Sequence, residues 1–168
     1  GWSYGSSITD PRTGEILKGH VLLGSLRVRQ DYLIAQGLFQ QFDPETAPMN
    51  GAPDPSLEVA LARIRQLSAH EVGHTLGLQH NFAASIDDRA SVMDYPAPLA
   101  TLDPDNRILL HQAYDTGIGD WDKVTIKYGY SDFPEGTDEK AALTEIIDQY
   151  VEKGLHYITD EDARPEGG

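Results

Sequence analysis

The strongest constraint on this chain of 168 residues is the spacing of three histidines in the segment HEVGHTLGLQH, residues 70–80. Residues four positions apart share one face of an α-helix, so His70 and His74 can direct two imidazoles at one point. His80 lies too far along a continued helix to reach that point. Gly77 can adopt the left-handed conformation that ends a helix. The spacing therefore predicts a helix that breaks at Gly77 and returns His80 as a third ligand.

This ligand set predicts a particular metal chemistry. The chain has no cysteine, so a metal must be held by nitrogen and oxygen atoms. Three imidazoles without a fourth protein ligand are typical of catalytic zinc, because structural zinc sites are closed by four protein ligands. Zinc lowers the pKa of a bound water toward about 7, and Glu71 is placed to take the proton of that water. Glu71 can then return the proton to a leaving amine.

The motif H-E-x-x-H-x-x-G-x-x-H with a later methionine turn resembles the signature of the metzincin zinc metalloproteases. The segment SVMDY, residues 91–95, resembles the Met-turn of that group. The resemblance implies that Met93 packs beneath the histidines and that Tyr95 lies near the zinc as a fifth ligand or oxyanion donor. A half-buried packing role is the alternative for Tyr95. The residue directly after the third histidine is Asn81. The best-known metzincin groups have a different, family-specific residue at this position.

A wider resemblance covers most of the chain. Four strings are similar to a family of bacterial zinc-dependent metalloproteases with DUF5117 and DUF4953 regions. They are GWSYGSS at 1–7, DPRTGEI at 10–16, LSAHEVGHTLG at 67–77 and DTGIGDWDK at 115–123. Members of that family are long and usually exported. The resemblance implies a periplasmic, envelope-associated or secreted parent with further domains, of which this chain is the catalytic core.

Alternating residues on both sides of a turn predict a β-hairpin at the start of the chain. Its strands span about 2–9 and 16–23, and the turn sequence DPRTG joins them. One face of the second strand is apolar and is expected to be buried; it carries Leu17, Val21 and Leu23. An edge of the hairpin could pair with an extended substrate, and an ordinary edge strand is the alternative. We expect Trp2 and Trp121 to anchor the core.

Apolar residues at spacings of three and four predict helices. The first helix has about 16 residues, starts near Gly24-Ser25 and carries the stripe Val28, Tyr32, Ala35, Phe39 and Phe42. A proline-rich loop at 43–55 follows. Asp54 and Pro55 then signal a second helix that runs to about Leu76. Its apolar stripe is expected to be Leu57, Leu61, Ile64 and Leu67.

The later part of the chain is predicted to be mainly helical. Helices are expected at about 121–128 and from 137 or 138 to 153, with a short strand at 155–159. The acidic clusters, including the one at 115–122, are interpreted as solvated loop residues rather than calcium ligands. We assign no function to three isolated histidines, His20, His111 and His156.

Composition limits the partners. The chain has 27 acidic against 13 basic residues, with a formal net charge of −14, and this field argues against nucleic acid. No stretch reaches about 18 consecutive apolar residues, so no transmembrane segment is predicted in this chain. The expected partner is a polypeptide substrate.

Together these patterns predict an α+β metzincin-like catalytic domain, partial at both ends. A small strand layer would lie over the long zinc-binding helix, with a helical part below. Residues 1–130 are expected to form the core, lacking its N-terminal start, and 131–168 a helical extension of the same domain. The predicted activity is zinc-dependent endopeptidase. A zinc-loaded but catalytically silent scaffold and an enzyme acting on a non-peptide amide are the alternatives.

Overall fold

The structure is a computed structural model that describes residues 2–40 and 54–163. In chain order the elements are β1 (Tyr4–Thr9), β2 (Ile16–Leu22), α1 (Leu26–Gln40), α2 (Pro55–Thr75), β3 (Thr101–Leu102), β4 (Ile108–Leu109), α3 (Asp120–Tyr130), α4 (Glu139–Glu152) and α5 (Asp160–Ala163). They form an α+β chain, as predicted. Phe42 and most of the predicted loop lie outside the described residues. None of the described helices combines the length and apolar character needed to cross a membrane.

The predicted hairpin is confirmed. Strands β1 and β2 pair antiparallel, from Tyr4 opposite Leu22 to Thr9 opposite Ile16. The turn between them contains Gly14 with a φ of 76°, a value that glycine adopts without strain.

The expected burial of this hairpin is wrong. All residues of β2 after Ile16 are exposed, and Leu17 is 61% exposed. The sheet approaches α2 through two glycines, because a Cβ on Gly5 would collide with the carbonyl of Glu71 and one on Gly19 would lie 2.9 Å from Thr75 Cβ. Strand backbone rather than apolar side chains therefore covers the helix. Trp2, expected in the core, is 89% exposed.

Helix α1 begins directly after the predicted Gly24-Ser25 start and packs against α2. Ala35, from the predicted stripe, is fully buried and forms a core cluster with Val59, Leu110 and Ala113. Val28, from the same stripe, is exposed. The stripe is therefore only partly correct.

Helix α2 starts as predicted, with Pro55 as its first residue and the Asp54 side chain accepting a hydrogen bond from the Ser56 amide at 2.9 Å. The predicted buried stripe is only partly correct, since Leu67 is buried but Leu57 and Leu61 are both nearly half exposed. The face turned inward carries several polar residues and extends to His70. It includes Val59, Ala60, Arg63, Gln66, Leu67, His70 and Glu71.

Helices α3 and α4 occur where the sequence predicts them. The Asp138 side chain caps α4 by accepting from the Ala141 amide at 3.1 Å, and Gly154 follows the helix with a φ of 71°. Trp121 on α3 lies 4.6 Å, between ring centroids, from both Tyr150 and Tyr157.

Three features of the later part of the chain differ from the sequence prediction. Residues 155–159, all within the described part, form no strand, because their hydrogen bonds go mainly to the loop after α2. The two-residue strands β3 and β4 and the four-residue helix α5 were not predicted.

Candidate metal centre

The end of α2 brings three histidines together. The helix ends at Thr75, and Gly77 has a φ of 85°, which reverses the chain. The amide of Leu78 donates to the Gly73 carbonyl at 3.1 Å and closes this turn. As a result, ligand atoms of three histidines, His70, His74 and His80, lie within 4.8 Å of one another.

The hydrogen bonds of these rings determine which nitrogen faces the centre. Nδ1 of His70 lies 2.8 Å from the Val92 carbonyl oxygen, and Nδ1 of His74 lies 2.9 Å from the Leu78 carbonyl oxygen. A carbonyl oxygen can only accept, so each Nδ1 carries the hydrogen and each Nε2 of a neutral ring presents a lone pair. These two rings therefore have the tautomer that a metal ligand requires.

The third ring follows the same rule with a different partner. Nδ1 of His80 lies 2.6 Å from a carboxylate oxygen of Asp160, and its Nε2 lies 3.2 Å from Nε2 of His74. Three imidazoles with ligand atoms within 4.8 Å of one another are a donor set that suits zinc.

Burial controls the ionisation of two groups at the centre. Desolvation, only partly opposed by the hydrogen bond to Val92, lowers the pKa of His70 to about 4. This ring is therefore neutral at neutral pH, as a metal ligand must be. Desolvation also raises the pKa of the neighbouring Glu71. The backbone of Glu71 lies close to strand β1, because a Cβ on Gly5 would collide with the Glu71 carbonyl.

The methionine predicted for the floor of the site is fully buried. Its sulfur lies against Gly73 on α2, and its carbonyl accepts from the Asn81 amide at 2.9 Å. Met93 packs with Leu78 and Val92 in a small apolar cluster. The turn that carries Met93 is therefore fixed both to α2 and to the loop after His80.

Asp122 holds the same turn from the other side. Its carboxylate accepts from the Val92 amide at 2.9 Å, from the Gly119 amide at 2.7 Å and from the Ser91 hydroxyl. Asp122 is 1% exposed, so its interpretation as a solvated loop acid is wrong. Burial raises the pKa of this carboxyl, although the three hydrogen bonds oppose that effect.

Two buried polar residues on α2 also support the site and were missed in the sequence. Gln66 donates to the Val92 carbonyl at 3.0 Å, the same oxygen that accepts from His70. Arg63 donates to Gln66, and its guanidinium lies 5.4 Å from the centroid of the Tyr114 ring. Desolvation lowers the pKa of Arg63. Periodicity based on apolar residues cannot detect a buried face made of such groups.

Tyr95 reaches the centre from beyond the Met-turn. Its hydroxyl lies 2.8 Å from Nε2 of His80, and its ring centroid lies 5.1 Å from that of His70. Asp160 was missed because 80 positions separate it from His80 in the sequence.

Residues 52–167 match the family model DUF4953, which is described as Met-zincin. The match covers more than half of the chain, so the chain belongs to this Met-zincin family. No match was found among curated proteins or among solved structures. The family implies zinc, and the histidine group has the ligand chemistry to bind it.

Proposed function

We propose that this chain is the catalytic part of a zinc metallopeptidase that cleaves within polypeptides. The observation that carries the proposal is the convergence of ligand atoms from three histidines, with the buried Glu71 next to His70 on the same helix. When bound by His70, His74 and His80, zinc supplies a Lewis acid that acidifies water and polarises a carbonyl group.

Glu71 is proposed to move the proton. It takes a proton from the attacking water and delivers it to the nitrogen of the leaving amine. Burial raises the pKa of this carboxyl toward the working pH, which suits a group that must accept and then donate a proton.

Tyr95 is proposed to stabilise the negative charge that develops on the substrate oxygen. Tyr95 is 56% exposed, so its hydroxyl can reach a bound substrate. Stacking against Phe82, at 6.1 Å between ring centroids, supports the ring in this position. A packing role without contact to substrate is the alternative.

We further propose that the hairpin β1–β2 forms the upper wall of the substrate cleft, with the helical part of the chain below it. The described sheet of β1 and β2 has two strands, so each has an outer edge whose backbone groups an extended polypeptide can pair with. Such pairing recognises main chain on both sides of a scissile bond, which favours endopeptidase activity. Residues 131–168 are proposed to extend the same domain.

The test measures zinc stoichiometry and cleavage of an unstructured protein substrate. The variants are Glu71→Gln, His80→Ala and, as a matched control, Glu58→Gln, which removes an exposed carboxyl from the same helix. We expect Glu71→Gln to retain zinc and to lose activity by at least about 100-fold. His80→Ala should lose both, and Glu58→Gln neither.

Two results would reject the proposed activity. Zinc binding by the wild type with no more cleavage than Glu71→Gln would favour the silent scaffold. Cleavage of non-peptide amides, such as acylated amines, but of no polypeptide would favour the non-peptide amide as substrate.

A further inference from the structure

The three histidines are not held in the same way. His70 and His74 lie on α2, and their Nδ1 atoms face backbone carbonyl oxygens at 2.8 and 2.9 Å. His80 lies on the loop after Gly77, and its Nδ1 faces a carboxylate oxygen of Asp160 at the shorter distance of 2.6 Å. The ligand without a helix to fix it is therefore the one with a charged partner.

Asp160 begins the short helix α5, and the segment before it is fastened to the loop that carries His80. We call residues 155–160 the C-terminal strap. The amide of Phe82 donates to the Ile158 carbonyl at 2.7 Å. At the other end, the backbone amide of His156 donates to a carboxylate oxygen of Asp87 at 2.6 Å.

Asn81 is the main attachment point of the strap. Its side-chain amide donates to the His156 carbonyl at 2.9 Å, and its side-chain oxygen accepts from the Ile158 amide at 3.2 Å. Asn81 is fully buried, and its own amide donates to the Met93 carbonyl. The strap, the loop of His80 and the Met-turn are thus joined at one side chain.

A carboxylate partner has two effects on a histidine ligand. It fixes the hydrogen on Nδ1 and the orientation of the ring, and its charge makes the opposite nitrogen a stronger donor to a metal. A backbone carbonyl fixes the tautomer but carries no charge. For His80, whose backbone position follows a chain reversal, the orientation also has to come from a partner outside the helix.

We propose that Asp160 is a positioning residue for His80, and that the C-terminal strap makes the third metal ligand dependent on a segment far downstream in the chain. The inference rests on the proposed zinc site, but it does not require the hydrolytic activity. Its primary measurements are therefore zinc affinity and the state of the His80 ring in the metal-free protein.

The first experiment measures zinc affinity by competition with a chromophoric chelator, using the full chain. The variants are Asp160→Ala and Asp160→Asn, with Glu161→Gln as control because it removes one negative charge from an exposed neighbour on α5. We expect Asp160→Ala to bind zinc about 10- to 100-fold more weakly. Asp160→Asn keeps an acceptor without the charge and should lose less, and Glu161→Gln should stay within about twofold of the wild type.

The second experiment determines the tautomer of the His80 ring directly. Nitrogen-15 NMR of the metal-free protein, at a pH well above the ordinary histidine range, distinguishes a hydrogen on Nδ1 from one on Nε2. We expect His80 to carry it on Nδ1 in the wild type and in Glu161→Gln, and to become a mixture in Asp160→Ala. His70 and His74 serve as internal controls, because their carbonyl partners are unchanged.

Cobalt substitution gives a third signature, because the visible bands of bound cobalt change when a ligand ring is displaced. Circular dichroism checks that each variant is folded, and Asp160→Asn provides the test if Asp160→Ala is not. The proposal is overturned if Asp160→Ala matches the wild type in zinc affinity and His80 tautomer, or if Glu161→Gln weakens zinc binding as much. Failure of the wild type to cleave peptides, with these effects intact, would reject only the proposed activity.

Discussion

The sulfur atom of Met93 lies against Gly73, on the turn of α2 between His70 and His74. Met93 is fully buried, so its side chain has little freedom to withdraw. The glycine of the segment HEVGH therefore has a packing function, since it allows the turn of Met93 to approach α2 between the two candidate ligands.

Replacing Gly73 tests this contact. We expect Gly73→Ala to lower the free energy of unfolding by about 1–3 kcal/mol, because the added methyl group overlaps the methionine sulfur. Gly37→Ala is the control, since Gly37 lies in α1 and an added Cβ would have no neighbour within 4 Å among the described residues beyond its own helix backbone. That control should gain up to about 1 kcal/mol from helix propensity. Equal stability of Gly73→Ala and the wild type in urea unfolding would contradict the packing role.

The carboxylate of Asp122 supports the Met-turn from α3, and its loss should destabilise the protein. Asp122→Ala leaves the buried amide of Val92 without its acceptor, and an unpaired buried donor costs about 1–3 kcal/mol. Asp120→Ala removes an exposed carboxylate from the same helix, where it pairs with two lysines, and should cost at most about 1 kcal/mol. Thermal and urea unfolding compare the two variants. The predicted role of Asp122 fails if they lose equal stability.

What the sequence predicts well in this chain is local. The cap at Asp54, the reversal at Gly77 and the extent of α4 each depend on residues within a few positions of one another, and the structure agrees with all three. Short-range rules on capping and glycine conformation suffice for such features.

The features that the sequence does not reveal depend on distant partners. Asp160 and Asn81 act across about 75 to 80 positions, and no periodicity connects them. The buried face of α2 was misjudged because Arg63 and Gln66 occupy it, and apolar spacing selects the opposite leucines instead. Polar groups that support a site are thus the least visible part of the sequence pattern.

The N-cap residue of α2, Asp54, should make the free energy of unfolding depend on pH. The hydroxyl of Tyr32 donates to the Asp54 carboxylate at 2.7 Å, and this hydrogen bond is the main cause that lowers the pKa of Asp54 below its usual value. A lowered pKa in the folded state means that the unfolded chain binds the proton more readily. The contribution of Asp54 is therefore present above the unfolded pKa of about 3.9 and is lost as the pH falls through the folded value.

Urea unfolding of the wild type and Asp54→Asn across this range measures the effect. We expect the wild type to be more stable near neutral pH, and the difference between the two to shrink as the pH falls below about 4. Tyr32→Phe removes the main cause of the lowered pKa, so its stability should also depend less on pH than that of the wild type. A difference that stays constant over the whole range would show that Asp54 does not titrate with folding.

The effect of the chain reversal at Gly77 on zinc binding can be distinguished from ordinary backbone strain by comparison with a second glycine that has nearly the same φ. Gly77 and Gly136 have φ values of 85° and 86°, so an alanine at either position should cost a similar amount, about 1–2 kcal/mol. Only Gly77 lies between His74 and His80, and a shift of this turn would move His80 away from the other two histidines. We therefore expect Gly77→Ala to weaken zinc binding by at least about 10-fold and Gly136→Ala to leave it unchanged, as measured by chelator competition on both folded variants. Equal zinc affinity for the two variants would mean that another part of the loop, such as the strap at Asn81, determines where His80 points.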